Sequence, residues 1–363
     1  MPAFVPGTEL SQRFFGEVIR PILEAHYPAL PYAAAHIGPG SDVLGFDTEM
    51  STDHDWGPRA HLFLRDEDAA LAAPLRELFR HTLPHTFAGY PVGFAPSPGE
   101  DGVGYMQEQD AGPIDHRIFV ETLKTFIQYE LGWTYNQPLD AADWLSFPAQ
   151  KLREITAGAV FEDGIGDLNA LRQRLAWYPH DVWLYLLAAG WTRIGQENHL
   201  MPRAGFVGDE LGSALIGSRL VRDIMNQCFL MERQYAPYPK WFGSGFKQLA
   251  CAEQFTPVLW RAQLAPTWQE REAAVGEAYL QLASLHNALG VTEALPVQLT
   301  DFHERPFMVI DSDAFVEALR AAITDPDVKA IADRRPIGNI DQWSDNTDLR
   351  DTVWWPKIRS FYT

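Results

Sequence analysis

The sequence predicts an α+β chain, with a small N-terminal sheet domain followed by a larger, mainly helical domain. Three observations predict it. Apolar or alternating runs of strand length, at residues 33–37, 55–64, 90–94 and 114–122, cluster in the first third of the chain. From residue 123 onward, apolar residues recur at helical spacing over long stretches. Between the two regimes lies a Gly- and Pro-containing connection at residues 132–138. A length of 363 residues suits two domains; the division is drawn at residues 1–130 and 131–363.

Taken in order, residues 8–26 place Leu10, Phe14, Phe15, Val18, Ile19, Ile22 and Leu23 on one helical face, which should cover the sheet that follows. Residues 33–37 read as the first strand and residues 41–46 as a short helix after a Gly turn. Residues 55–64 read as the second strand, with Gly57-Pro58 marking an edge or bulge near its start. Residues 66–83 read as a helix with acids in its first turn, which complement the helix dipole. Residues 97–112 read as a Gly-rich acidic loop, and residues 114–122 as the last strand of the sheet. Beyond them the clearest helices are residues 167–177, 181–195, 209–235 and 267–289. Asp209 is placed to cap the third, and Pro237 to follow its end. Residues 306–310 read as a short strand or docking segment and residues 312–332 as a helix.

Bulk composition narrows the function classes. Lys plus Arg is 29 and Asp plus Glu is 48, a net charge of −19. That balance opposes binding to nucleic acid or an anionic membrane, both of which need basic surface. No run of about 18 apolar residues is present, so no membrane span is expected. The start of the chain lacks a basic segment leading into an apolar core, so no signal peptide is expected. The two cysteines, Cys228 and Cys251, form no Cys-x-x-Cys motif, and a reducing cytoplasm is the expected compartment.

The stretch from His36 to Arg59 carries the chemistry. A Gly38-Pro39-Gly40-Ser41 turn follows the first strand, and Asp53-His54-Asp55 follows after about a dozen residues. The turn offers backbone N–H groups and a hydroxyl to phosphate oxygens. On an extended segment Asp53 and Asp55 would face one way, roughly 7 Å apart. Two carboxylates that close repel unless a cation lies between them, and a hard ion such as Mg²⁺, with oxygen ligands at about 2.1 Å, suits that gap. The plain alternative is a Gly turn before a solvated acid pair.

This combination resembles the signature of the polymerase β type nucleotidyltransferase superfamily, in which a Gly-Ser turn precedes Asp-x-Asp on a strand. His54-Asp55-Trp56-Gly57-Pro58-Arg59 and much of the downstream chain resemble an uncharacterised bacterial branch of it, a domain of unknown function. In outline the chain is similar to aminoglycoside nucleotidyltransferases. The resemblance implies a small mixed sheet and a helical domain that completes a cleft. It implies Mg²⁺ or Mn²⁺ held by Asp53 and Asp55, a triphosphate cradled by Gly40 and Ser41, and ATP or another nucleoside triphosphate as co-substrate. It also implies a third acid from a neighbouring strand. Asp115 is the candidate carried forward; Glu121, six residues on, shares its face. The reaction implied is transfer of a nucleoside monophosphate, AMP from ATP, to a hydroxyl of a small molecule, and the acidic balance would favour a cationic acceptor. Transfer to a protein or tRNA is the alternative within the class. A nucleotide-binding regulatory protein that has lost transfer is the alternative outside it.

Arg59 either meets a phosphate or pairs with an acid of this acidic chain. Lys240, after the Pro237-Tyr238-Pro239 break and among aromatic residues, is the candidate for the outer phosphates, against the plain reading of a solvated lysine. Arg219 and Arg222 read as salt-bridged surface residues, His54 as a structural histidine, and Asp47 and Glu49 as solvated loop acids.

Overall fold

The computed structural model of the chain describes residues 3–96, 104–334 and 336–363. It is α+β, with a small mixed sheet in the N-terminal part and helices dominating the rest. Two compact units divide the chain. One comprises Met1–Gln137 and Lys151–Ala176, the other Pro138–Gln150 and Trp177–Thr363. The division therefore differs from a single cut at residue 130, because the chain enters the second unit, returns, and leaves again.

The return has a structural reason. The first unit is built on strands β1 (Tyr32–His36) and β2 (Arg59–Leu64). Two short hairpins follow, β3 (Thr86–Phe87) with β4 (Tyr90–Pro91) and β5 (Phe94–Pro96) with β6 (Gly104–Met106). Then come β7 (Arg117–Thr122) and, after the excursion, β8 (Ala159–Asp163). The sheet runs β7-β2-β1-β8, with β1 antiparallel to both neighbours and β2 parallel to β7. The expectation that the sheet ends at residue 122 is corrected by β8. All five of its residues are half-buried, so Val160 and Phe161 give no alternation to read.

In β7 burial alternates strictly, and Ile118, Val120 and Thr122 face the core. Leu62 and Leu64 of β2 join Ile118 and Val120 against Leu10, Phe14, Phe15, Ile19 and Leu23 of the N-terminal helical segment. Each fully buried side chain of this size contributes about 1.5–3 kcal/mol. That segment is not one regular helix: a π-helical turn at Phe15–Ile19 separates Gly7–Phe14 from Arg20–His26. The opposite sheet face carries Arg59, His61 and Phe63 beside Arg117, Phe119 and Glu121, in register across β2 and β7. Phe126, from the helix Leu123–Leu131, packs on Phe63 and His61 there. Of the expected loop at residues 97–112, residues 97–103 lie outside the described residues.

The second unit is organised around the helix His180–Glu197, whose residues 181–191 are all buried. Asp209 caps the helix Glu210–Met231 by accepting from the Gly212 N–H, as its sequence position predicts. The stretch at residues 312–332 is two helices, Ser312–Ala322 and Pro326–Ala332, because Pro326 breaks the first and Asp325 caps the second. Residues 306–310 do form a strand, within β10 (Arg305–Ile310), paired antiparallel with β9 (Leu299–Phe302). Among the described residues no helix is long and apolar enough to cross a membrane.

Within this unit Trp191 stacks on Phe315 at 4.2 Å and donates its indole N–H to His286 Nδ1 at 3.3 Å. His286 is fully buried, and burial pushes its pKa down to about 4. The unfolded chain therefore binds a proton near pH 6.5 that the folded chain refuses until about pH 4. Stability should be intact above pH 6.5 and fall by about 1.4 kcal/mol per pH unit below it on this account. Urea titrations of His286→Gln between pH 7 and 4.5 should show that slope reduced relative to wild type; an unchanged slope would assign the acid sensitivity elsewhere.

Candidate functional site

The turn after β1 is shaped by one buried carboxylate that the sequence reading passed over. Asp42 follows Ser41 directly and its side chain is 1% exposed. Arg59, the first residue of β2, grips it with both arms, Nε to Oδ2 at 3.2 Å and Nη2 to Oδ1 at 2.5 Å. A third guanidinium donor, Nη1, reaches the Pro39 carbonyl at 3.0 Å. His36 Nε2 lies 2.9 Å from Asp42 Oδ2, a close charge contact at an angle poor for a hydrogen bond. Burial alone would raise the Asp42 pKa, but the charges of Arg59 and His36 outweigh it and hold the carboxyl well below the usual range. Burial pushes the His36 pKa down, against the pull of the Asp42 carboxylate, which raises it.

This grip explains the Gly turn. Gly40 has φ +145, and a Cβ there would collide with the Arg59 guanidinium and Asp42 Oδ1. Residues 41–46 form turns rather than the expected short helix, because the Asp42 carboxylate takes the Val43 N–H and Gly45 adopts φ +74. The Gly38 N–H is spent on the Glu154 carbonyl at 2.9 Å. Of the two readings of Arg59, the structure shows the ion pair. Asp47 is no solvated acid: its Oδ2 accepts from the Gly7 N–H at 2.7 Å and the Trp56 indole at 2.9 Å.

Asp53 and Asp55 do not lie on an extended strand, which corrects the facing-carboxylate geometry. Strand β2 begins only at Arg59. Asp53 ends a 3-10 turn, Glu49–Asp53, that a Thr48–Ser51 capping box holds. Its carboxylate is 61% exposed and meets His54 Nδ1 at 2.8 Å. Asp55 adopts φ +47, a left-handed conformation that Asp tolerates. It is tied to β6 and β7: its N–H donates to the Gly104 carbonyl at 2.7 Å, and its Oδ1 accepts from the Gly104 N–H at 3.0 Å and from Arg117 Nη2 at 2.9 Å.

Asp115 precedes β7 rather than sitting in it. Its carboxylate is mostly exposed and pairs with Arg80 at 3.2 Å, whereas Asp55 pairs with Arg117, so the two acids hold separate partners. Glu121 lies inside β7, opposite Phe63, with Oε1 3.5 Å from His61 Nδ1. Among the described residues no group of three His, Cys, Asp or Glu side chains is placed to hold a metal. A resident Mg²⁺ or Mn²⁺ therefore does not fit the residues as they stand, since Asp55 is already neutralised by a side chain of its own chain.

Lys240 belongs to the second unit, on the helix Pro239–Phe246, exposed with Nζ 5.1 Å from the Trp241 ring centroid. Arg219 pairs with Glu197 at 2.9 Å and Arg222 with Asp345, the surface salt bridges expected of them. Asp42 and Arg117 are the two residues that sequence reasoning missed. The available signals were an acid immediately after the Gly-Ser pair and a lone cation opening an otherwise alternating strand.

Residues 144–242 match the model of a family described as Domain of unknown function (DUF4037). That stretch excludes the Gly turn, Asp53 and Asp55. No curated protein matches the chain. Among solved structures, a nucleotidyltransferase-like protein from Exiguobacterium sibiricum 255-15 is similar at 9% identity, over 82% of this chain and 83% of that one, with a TM-score of 0.34. A likeness that low carries no argument about the site.

Arg59→Met strands the buried Asp42 carboxylate and should cost about 3–5 kcal/mol in urea unfolding. Asp42→Asn with Arg59→Met should cost less than the two single changes added together; additivity would mean that the pair is not coupled. In metal-free protein, Asp53→Asn should leave the melting temperature within the small range of surface changes. Asp55→Asn should lower stability by about 1 kcal/mol, a figure kept small because the Arg117 pair is partly exposed.

Proposed function

We propose that the N-terminal unit binds a nucleoside triphosphate, ATP first among them, in the manner of a nucleotidyltransferase-like domain. The observation that carries this reading is the turn Gly38-Pro39-Gly40-Ser41 lying between β1 and β2, at the same end of the mixed sheet as Asp55 and Arg117. The turn is rigid because Arg59 and Asp42 hold it from beneath, so Gly40 and Ser41 present main chain and hydroxyl at little entropic cost. The reaction such a site would carry is transfer of AMP to a hydroxyl of a small molecule. Asp53 is the acid turned to solvent, and a divalent ion arriving with the triphosphate would need Asp55 released from Arg117 to gain both carboxylates.

The Asp55–Arg117 pair favours a second reading: a protein that binds the nucleotide and regulates a partner without transferring it. One experiment separates the two. The chain is incubated with each of the four nucleoside triphosphates, Mg²⁺ or Mn²⁺ and a metabolite extract; pyrophosphate release and nucleotidylated products are followed, and melting curves are recorded in parallel. Saturation at about 100 times the dissociation constant adds about 2.7 kcal/mol of stability. Transfer predicts pyrophosphate and a product mass increased by one nucleotidyl group, both lost in Asp53→Asn. A melting shift with no pyrophosphate selects the regulatory reading. Neither a shift nor a product sinks both.

A further inference from the structure

Asp55, just before β2, takes its cation from the chain itself. Arg117 Nη2 stands 2.9 Å from Asp55 Oδ1, and the Gly104 N–H adds a second donor to the same oxygen at 3.0 Å. The guanidinium lies over the Phe94 ring, 5.4 Å from its centroid. A Cβ on Gly104 would collide with that guanidinium, so the lack of a side chain there makes room for it. Arg117 is 25% exposed, against 9% for Arg59, its register partner across β2 and β7. Of the two arginines that open these strands, one is spent on a buried acid beneath the Gly turn and the other reaches solvent beside it.

We propose that the Arg117 guanidinium takes the place of a divalent cation at Asp55, so that this edge of the sheet accepts a nucleotide's phosphates without a resident metal. The phosphate half rests on the nucleotide-binding reading above; the cation half stands on the Asp55, Gly104 and Phe94 geometry alone. A divalent ion approaching Asp55 meets a carboxylate already neutralised and a fixed positive charge beside it, which repels the ion. An anionic phosphate meets the same guanidinium as a partner, and guanidinium forks match phosphate oxygens.

The test uses the full chain. Mn²⁺ alone is titrated into wild type, Asp55→Asn, Arg117→Gln and Arg117→Lys, with free Mn²⁺ read by electron paramagnetic resonance. Wild type should bind no more tightly than Asp55→Asn. Arg117→Gln should gain about tenfold or more, since a fixed charge is removed and a carboxylate released. Arg117→Lys, which keeps a cation, should show no such gain. ATP is then titrated into wild type with EDTA and with Mg²⁺; the two affinities should agree within about threefold, a difference well under one tenfold step. Tight Mn²⁺ binding by wild type that Asp55→Asn abolishes would overturn the proposal. ATP binding that requires Mg²⁺ overturns it too, while leaving nucleotide binding intact. ATP binding under neither condition removes the nucleotide reading and the phosphate half that rests on it, while the Mn²⁺ titration still decides the cation half.

Discussion

The N-terminal unit depends on a carboxylate buried where no carboxylate can stay unaccompanied. Asp42 has almost no contact with water, and an ion in that position survives only with its charge answered and its oxygens bonded. Arg59 answers the charge, and His36 and the Val43 N–H crowd the oxygens. The consequences spread from there. The Asp42 carbonyl takes the Thr8 hydroxyl at 2.9 Å, fixing the N-terminal helix to the turn. Arg59 must begin β2 at the register that reaches Asp42, which fixes where the connecting segment can lie and leaves Asp53 and Asp55 outside the strand. Gly40 is a glycine because the ion pair fills the space its side chain would need.

Much of the architecture was legible because it is written in periodicity. Burial along β7 alternates residue by residue, and the Glu210–Met231 helix announces its start with Asp209. Elements that tertiary contacts impose were not legible. β8 reads as neutral sequence and becomes a strand because the edge of β1 needs a partner for its main chain. The π-helical turn at Phe15–Ile19 keeps both Phe15 and Ile19 buried inside an otherwise ordinary amphipathic pattern, so its extra residue per turn leaves no mark on the sequence.

The site was legible in a different sense. Asp55 calls for a cation on electrostatic grounds, whereas the facing pair with Asp53 from which a metal ion was expected does not form. The cation's source does not follow, because Arg117 lies 62 positions away in sequence and is delivered by the parallel pairing of β7 with β2. Spacing rules see neighbours along the chain, whereas charge compensation acts through space. The same limit hid the Asp42–Arg59 pair, 17 positions apart.

Burial separates the work of these two pairs. Removing Arg59 from Asp42 would leave an ion in a nearly dry interior, so no ligand can trade places with it without dismantling the turn. Arg117 and Asp55 keep part of their surface in water, 25% and 36% exposed, so separating them costs little. A phosphate offered to Arg117 competes with a single monodentate contact, and water repays part of what Asp55 loses. The two arginines open adjacent parallel strands in the same register, yet one belongs to the fold and the other is available for exchange. The depth of the acid each one meets makes that difference.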